Sequence, residues 1–167
     1  MMGSSQAELA AFLPQLESVT RRAGEIAMAY FRAGERTTDA GSYKYGGSPV
    51  TEADFAVDRF LFEEMARIAP EAAWLSEESA DTAERLTRDA LMVVDPIDGT
   101  LAFSRGDARW SVSIALVVGG RPVAGIIHAP ALGETYVGAL GLGAFLNGSP
   151  LIAPQRAEIA GAALVAP

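Results

Sequence analysis

The stretch Leu91-Met92-Val93-Val94-Asp95-Pro96-Ile97-Asp98-Gly99-Thr100 runs an apolar segment into two carboxylates, a glycine and a hydroxyl. Those groups suit a magnesium-dependent phosphate site. Carboxylate and main-chain oxygens match a hard divalent cation, and a glycine lets backbone N–H groups come close to an anion. A second acidic pair, Glu77-Glu78, stands behind the short apolar lead Trp74-Leu75. Acidic ends on two buried segments point to one shared site.

The elements that must carry these groups follow from periodicity. Ser5-x-x-Glu8 has the form of a capping box, and Leu9, Phe12, Leu13, Leu16, Val19, Ala23, Ile26, Ala27, Tyr30 and Phe31 recur at helical spacing behind it. Pro14 predicts a kink or a later start, and Gly34 is placed to end this helix. Residues 35 to 49 read as a loop without regular structure, carrying Lys44. Thr51 caps a second helix with Asp54 three positions on; Val57, Phe60, Leu61, Met65 and Ile68 form its buried face, Asp54 and Asp58 share an exposed side, and Pro70 stops it. Trp74-Leu75 is a short strand, residues 81 to 88 a polar helical piece, and Ala90 to Asp95 a buried strand. Strands then follow at Ser111 to Val118, Val123 to His128, Thr135 to Leu140 and Ala144 to Leu146, with Asn147-Gly148 as a hairpin signal. Helices followed by closely spaced strands predict an α+β domain, two helices packed on an antiparallel sheet.

Composition bounds the partners. The 167 residues fit one domain, which buries roughly two-thirds of its unfolded surface. No apolar run approaches the roughly 20 residues of a membrane span, and the N-terminus has no secretory pattern. A net charge of −8 with no basic stripe argues against nucleic acid. Zero cysteines exclude disulfides and thiolate metal sites, and fit a reducing cytoplasm. Clustered acids require metal, protonation or distance, because like charges 4 Å apart repel by roughly 4 kcal/mol at an effective dielectric near 20.

At Ser76-Glu77-Glu78-Ser79 and Asp95-Pro96-Ile97-Asp98-Gly99-Thr100 the chain resembles the inositol monophosphatase superfamily of magnesium-dependent, lithium-sensitive phosphatases. Ser48-Pro49-Val50-Thr51-Glu52-Ala53-Asp54 is similar to the segment opening that family's second helix, and Gly143 to Gly148 to its late hairpin. The resemblance implies the N-terminal part of the layered fold shared with fructose-1,6-bisphosphatase, with residues 1–167 as its metal- and phosphate-binding α+β domain. It makes Glu77, Asp95, Asp98 and the Ile97 carbonyl metal ligands for about two or three Mg²⁺ ions, or Mn²⁺. Thr100 and Asp54 would orient the attacking water together with Glu77, the Gly99 and Thr100 N–H groups and Lys44 would hold phosphate, and Glu78 would stand behind the metal ligands. It further implies a small phosphorylated metabolite as partner, an inositol or sugar phosphate most simply, and a homodimer.

Each residue also has a plainer reading. Asp-Pro and Asp-Gly favour turns by themselves; Glu77 and Glu78 alone would be a solvated pair; Asp54 is a favoured first-turn helix acid; a loop lysine such as Lys44 is commonly solvated. His128 on an apolar strand reads as structural, and Trp74 and Trp110 as packing residues. The chain departs from the family pattern at Leu101-Ala102-Phe103, which opens the substrate to 3′(2′),5′-bisphosphate nucleotides or histidinol phosphate. Full-length relatives continue into a second α/β domain supplying another metal-binding aspartate, so a non-catalytic metal-binding module is the alternative to an enzyme. An aspartyl-phosphate chemistry of the Asp-x-Asp type fits poorly, because two residues separate Asp95 from Asp98.

Overall fold

The computed structural model describes residues 5–36, 42–43, 49–80 and 82–153. Helix α1 spans Gln6–Tyr30 and begins on the expected box: the Ser5 hydroxyl accepts from the Glu8 N–H, and the Glu8 carboxylate accepts from the Ser5 N–H. Pro14 lies inside it, with its ring on the solvent side. An internal proline costs a hydrogen bond, about 3 kcal/mol or more. The continuous buried stripe of Leu9, Phe12, Leu16, Val19, Ala23 and Ala27 offsets it, each large apolar side chain contributing about 1.5–3 kcal/mol. The helix stops at Phe31, three residues before the terminating glycine, because Phe31 turns extended to pack into the core.

Strands β1 (Ser42–Tyr43) and β2 (Pro49–Val50) form a small antiparallel pair where the sequence suggests only loop. Helix α2 covers Glu52–Ile68 and carries its own capping box, Thr51 with Asp54, while Val57, Leu61 and Met65 face the core. Asp54 is fully buried, contrary to the exposed side expected for Asp54 and Asp58; its carboxylate turns back onto Thr51 instead of out to water.

A seven-stranded sheet follows in the order β3 (Ala73–Ser76), β4 (Ala90–Asp98), β5 (Ser111–Val118), β6 (Arg121–Ala129), β7 (Glu134–Ala139), β8 (Gly143–Leu146), β9 (Ser149–Pro150). It is mixed: β3 runs parallel to β4, and every later neighbour is antiparallel. A parallel pair needs a crossover, supplied here by the segment between β3 and β4, whose expected polar helical piece is a 3-10 helix at Ala83–Thr87. Both helices cover one sheet face, on which Met92, Val94, Val112, Ile114, Leu116 and Ile126 form the core. Asn147, at φ 48°, and Gly148, at φ 78°, make the anticipated β8–β9 turn. No described helix is long and apolar enough to cross a membrane.

Candidate active site

The two aspartates are held by a strand, not by the turn their neighbours suggest. Strand β4 continues through Asp98, pairing Asp95 with Ser113 and Asp98 with Ser111, with a register shift between them. Pro96 and Ile97 on β4 therefore stand opposite Val112 alone on β5, so one extra residue bulges out. Pro96 has no N–H to give a ladder and is tolerated inside a central strand only at such an irregularity. Opposed residues share a face, and Ser111 and Ser113 are two apart. The bulge consequently turns an i, i+3 spacing, which regular pleating would send to opposite faces, into one face for both carboxylates. Asp95 stays half-buried with its Oδ1 inside, and Asp98 is exposed.

Glu77 reaches the same edge through the parallel strand. Ser76 pairs with Val94, and the Glu77 N–H continues the ladder to the Val94 carbonyl at 3.3 Å. Glu77 thus stands beside Asp95 at the carboxyl ends of adjacent parallel strands, about 4.8 Å apart in backbone. Its side chain is exposed. Glu78 is half-buried and its N–H is bound to the Ser76 hydroxyl at 3.3 Å.

Past Asp98 the chain turns at Gly99 into helix α3, Thr100–Ser104. Gly99 has φ 87°, and a Cβ there would stand 2.9 Å from the Arg109 carbonyl oxygen, so both dihedral and space demand glycine. The turn is braced from below by Phe31, Phe103 and Trp110, whose ring centroids lie 4.8–5.5 Å apart. The opening N–H groups of a helix have no acceptor within it. Above the ring cluster, the Thr100 hydroxyl lies 2.9 Å from the Ile97 carbonyl oxygen and 3.4 Å from Asp54 Oδ1. The other Asp54 oxygen accepts from the Thr51 N–H at 2.8 Å and the Thr51 hydroxyl at 2.6 Å, which fixes the carboxylate through the cap of its own helix.

Asp54, Glu77, Asp95, Ile97, Asp98, Gly99 and Thr100 are therefore brought to one end of the sheet, while Lys44 lies outside the described residues. Among the described residues no three His, Asp or Glu side chains already form a closed cage. Closure of such a set needs a cation, since nearby carboxylates repel. The donors are all oxygen, carboxylate and main-chain, which fits Mg²⁺ or Mn²⁺ and not a thiolate metal.

Other candidates resolve structurally. Nδ1 of His128 lies 2.8 Å from the Thr135 hydroxyl, and its ring closes over Gly24, where a Cβ would be 2.5 Å from Cδ2. Burial holds this imidazole below the usual histidine pKa. Arg109, whose backbone lies against the Gly99 turn, is an exposed partner of Asp107, whose carboxyl the Arg109 hydrogen bonds hold at about 2. A cavity of about 650 Å³ opens behind the acidic edge, lined by Phe62, Met65, Trp74 and Met92, with Asp58 and Ser79 at its wall. Sequence reasoning missed how Asp58 joins the Ser76–Ser79 bend; the two serines flanking Glu77-Glu78 were the available signal.

Comparison with known proteins agrees with this arrangement. The inositol monophosphatase family model matches residues 8–166. A 3′(2′),5′-bisphosphate nucleotidase CysQ of Aggregatibacter actinomycetemcomitans is 41% identical over 104 residues, 61% of this chain and 39% of its own length. Inositol monophosphatase 1 of Solanum lycopersicum is 34% identical over 150 residues, 89% of this chain and 54% of its own. The inositol monophosphatase structure from Anabaena (Nostoc) sp. PCC 7120 superposes with a TM-score of 0.74 at 29% identity, covering 90% of this chain and 52% of that one. The chain thus spans about half the length of its relatives or less. With its acidic strand ends, bulge and Gly99 turn inside the matched region, the chain is a member of the inositol monophosphatase family.

Proposed function

We propose that residues 1–167 form the metal- and phosphate-binding portion of a magnesium-dependent phosphomonoesterase acting on a small phosphorylated metabolite. The observation that carries this reading is the meeting of Glu77 with the Asp95–Asp98 bulge at one sheet edge, next to the Asp54–Thr100 pair. Glu77, Asp95, Asp98 and the Ile97 carbonyl would hold the cation. A bound divalent ion supplies charge neutralisation at phosphoryl oxygens and a lowered pKa for nearby water. The chain's own residues do the rest. Gly99 and Thr100 present main-chain N–H groups to the phosphate, with Lys44 as a further cation in this reading. The single Thr100 hydroxyl hydrogen points either to Ile97 or to Asp54; when it points to Asp54, the oxygen lone pairs can accept a hydrogen bond from water and aim it for attack in line with the leaving group. Glu78 supports this edge from behind.

Within this chemistry an inositol or sugar phosphate is the leading substrate class. A 3′(2′),5′-bisphosphate nucleotide is the second, favoured by the higher identity to the nucleotidase than to the plant monophosphatase. Action in a reducing cytoplasm, where a cysteine-free chain is at no disadvantage, and assembly as a homodimer, which rests on the family resemblance alone, complete the proposal.

The test measures phosphate release with Mg²⁺ from inositol 1-phosphate, adenosine 3′,5′-bisphosphate and histidinol phosphate, beside a Mn²⁺ titration of the same protein. Metal uptake with release from one ester supports an enzyme and selects the substrate. Metal uptake without release from any of them supports a non-catalytic module. Failure to take up Mn²⁺ in the presence of inorganic phosphate removes the site.

A further inference from the structure

We propose that Asp58 is a positioning residue that sets where Glu77 stands, by holding the bend at residues 76–79 to helix α2. The proposal rests on the reading of Glu77 as a metal ligand. Asp58 lies four residues after Asp54, so both project from the same side of α2 one turn apart. Asp54 reaches forward to Thr100 at 3.4 Å. Asp58 reaches the other loop: one carboxylate oxygen accepts the Ser76 hydroxyl and the other accepts the Ser79 hydroxyl at 2.6 Å. The Ser76 oxygen in turn accepts the Glu78 N–H at 3.3 Å. The four residues Ser76–Ser79 are therefore wrapped on one anion, and Glu77 is caught between that anchor and its own N–H bond to Val94. One turn of a rigid helix thus fixes the spacing between the Thr100 turn and the Glu77 bend. Hydrogen bonds to a carboxylate are about twice as strong as neutral ones, and two from one short bend restrict it more than either alone. Glu77 is itself exposed, and its main chain is held by the bend on one side and by Val94 on the other.

The experiment compares the parent protein with Asp58→Asn and Ser79→Ala by amide hydrogen exchange at residues 77–79 and by Mn²⁺ titration followed by electron paramagnetic resonance. Asparagine keeps the shape and loses the anion; Ser79→Ala removes one of the two bonds without touching α2 and serves if the first variant is unstable. Exchange at the Glu78 amide is expected to accelerate about 10-fold. Mn²⁺ affinity is expected to fall about 10- to 100-fold, the range seen when partners behind metal ligands are removed. In an active protein the apparent constant for Mg²⁺ rises while turnover at saturating Mg²⁺ returns toward the parent value. Unchanged Mn²⁺ affinity in both variants, whether or not exchange accelerates, overturns the proposal and leaves Asp58 a structural tether at most. A parent that takes up no Mn²⁺ refutes the metal reading itself and the role of Asp58 with it.

Discussion

Asp54 Oδ1 and Thr100 Oγ lie 3.4 Å apart, and the same threonine oxygen is 2.9 Å from the Ile97 carbonyl. A hydroxyl has one hydrogen, so the shorter contact is the bond made and the longer one is its alternative. If the Ile97 oxygen engages a cation, the hydrogen is free to turn to Asp54. Thr100→Ala is therefore expected to lower kcat about 100-fold while leaving Mn²⁺ affinity within about 2-fold, and Thr100→Ser to recover most of the loss. Steady-state kinetics at saturating Mg²⁺ check this. An unchanged kcat in Thr100→Ala would remove the hydroxyl from the mechanism.

The β4 bulge makes Asp95 and Asp98 interdependent. Asp95→Asn and Asp98→Asn should each reduce magnesium-dependent turnover by about 1,000-fold with little change in far-ultraviolet circular dichroism, because asparagine keeps the size and shape of the side chain at the half-buried Asp95 and at the exposed Asp98. Deleting Pro96 removes the bulge but leaves an i, i+2 spacing, which regular pleating keeps on one face, so metal affinity should survive better in the deletion than in either substitution. Phosphate release and Mn²⁺ titration on the three variants measure it. A deletion that loses metal affinity as fully as the substitutions would show that the shared face alone does not hold the cation.

Much of this edge was legible in the sequence, and the parts that were not have identifiable causes. The caps at Ser5 and Thr51, the apolar faces of both helices and the strands after Ser111 follow from local periodicity. The direction of β3 does not: four residues cannot show whether they run with or against a neighbour, and it is this parallel pairing that sets Glu77 beside Asp95. The Asp-Pro-Ile-Asp run reads locally as a turn, but pairing with Ser111 and Ser113 keeps it in the sheet. Asp54 carries a charge and so reads as exposed, until Thr51 is seen to satisfy it inside the fold. The Asp58 contacts span about 20 residues of chain and leave no periodic trace.

Gly99→Ala tests the turn beneath the proposed phosphate contact. The added Cβ meets the Arg109 carbonyl at 2.9 Å and Trp110 Cα at 3.3 Å, with φ at 87°. Left-handed strain costs about 1–3 kcal/mol, and the contact with main-chain atoms adds to it. Urea unfolding should show a loss of at least about 2 kcal/mol, with weakened inorganic phosphate binding in the presence of Mn²⁺. A variant as stable as the parent would mean that the turn relaxes freely.

His128 gives the fold a pH dependence of defined sign. Its folded pKa lies below the ordinary 6.5, chiefly because burial between Gly24 of α1 and strand β7 disfavours the charged ring; the Glu134 carbonyl raises it, Arg21 lowers it, and Glu17 and Glu25 raise it. Above pH 6.5 the ring is neutral in both folded and unfolded chains. Below that value the unfolded chain binds a proton that the folded one resists, so the unfolded state gains and stability falls as pH drops toward the folded pKa. His128→Gln retains a polar side chain for Thr135 and does not titrate. Its Tm should therefore fall less between pH 7 and pH 5 than the parent's. Parallel melting curves for the two proteins across this range measure the difference. Equal slopes would mean that the imidazole is protonated as readily inside the fold as outside it.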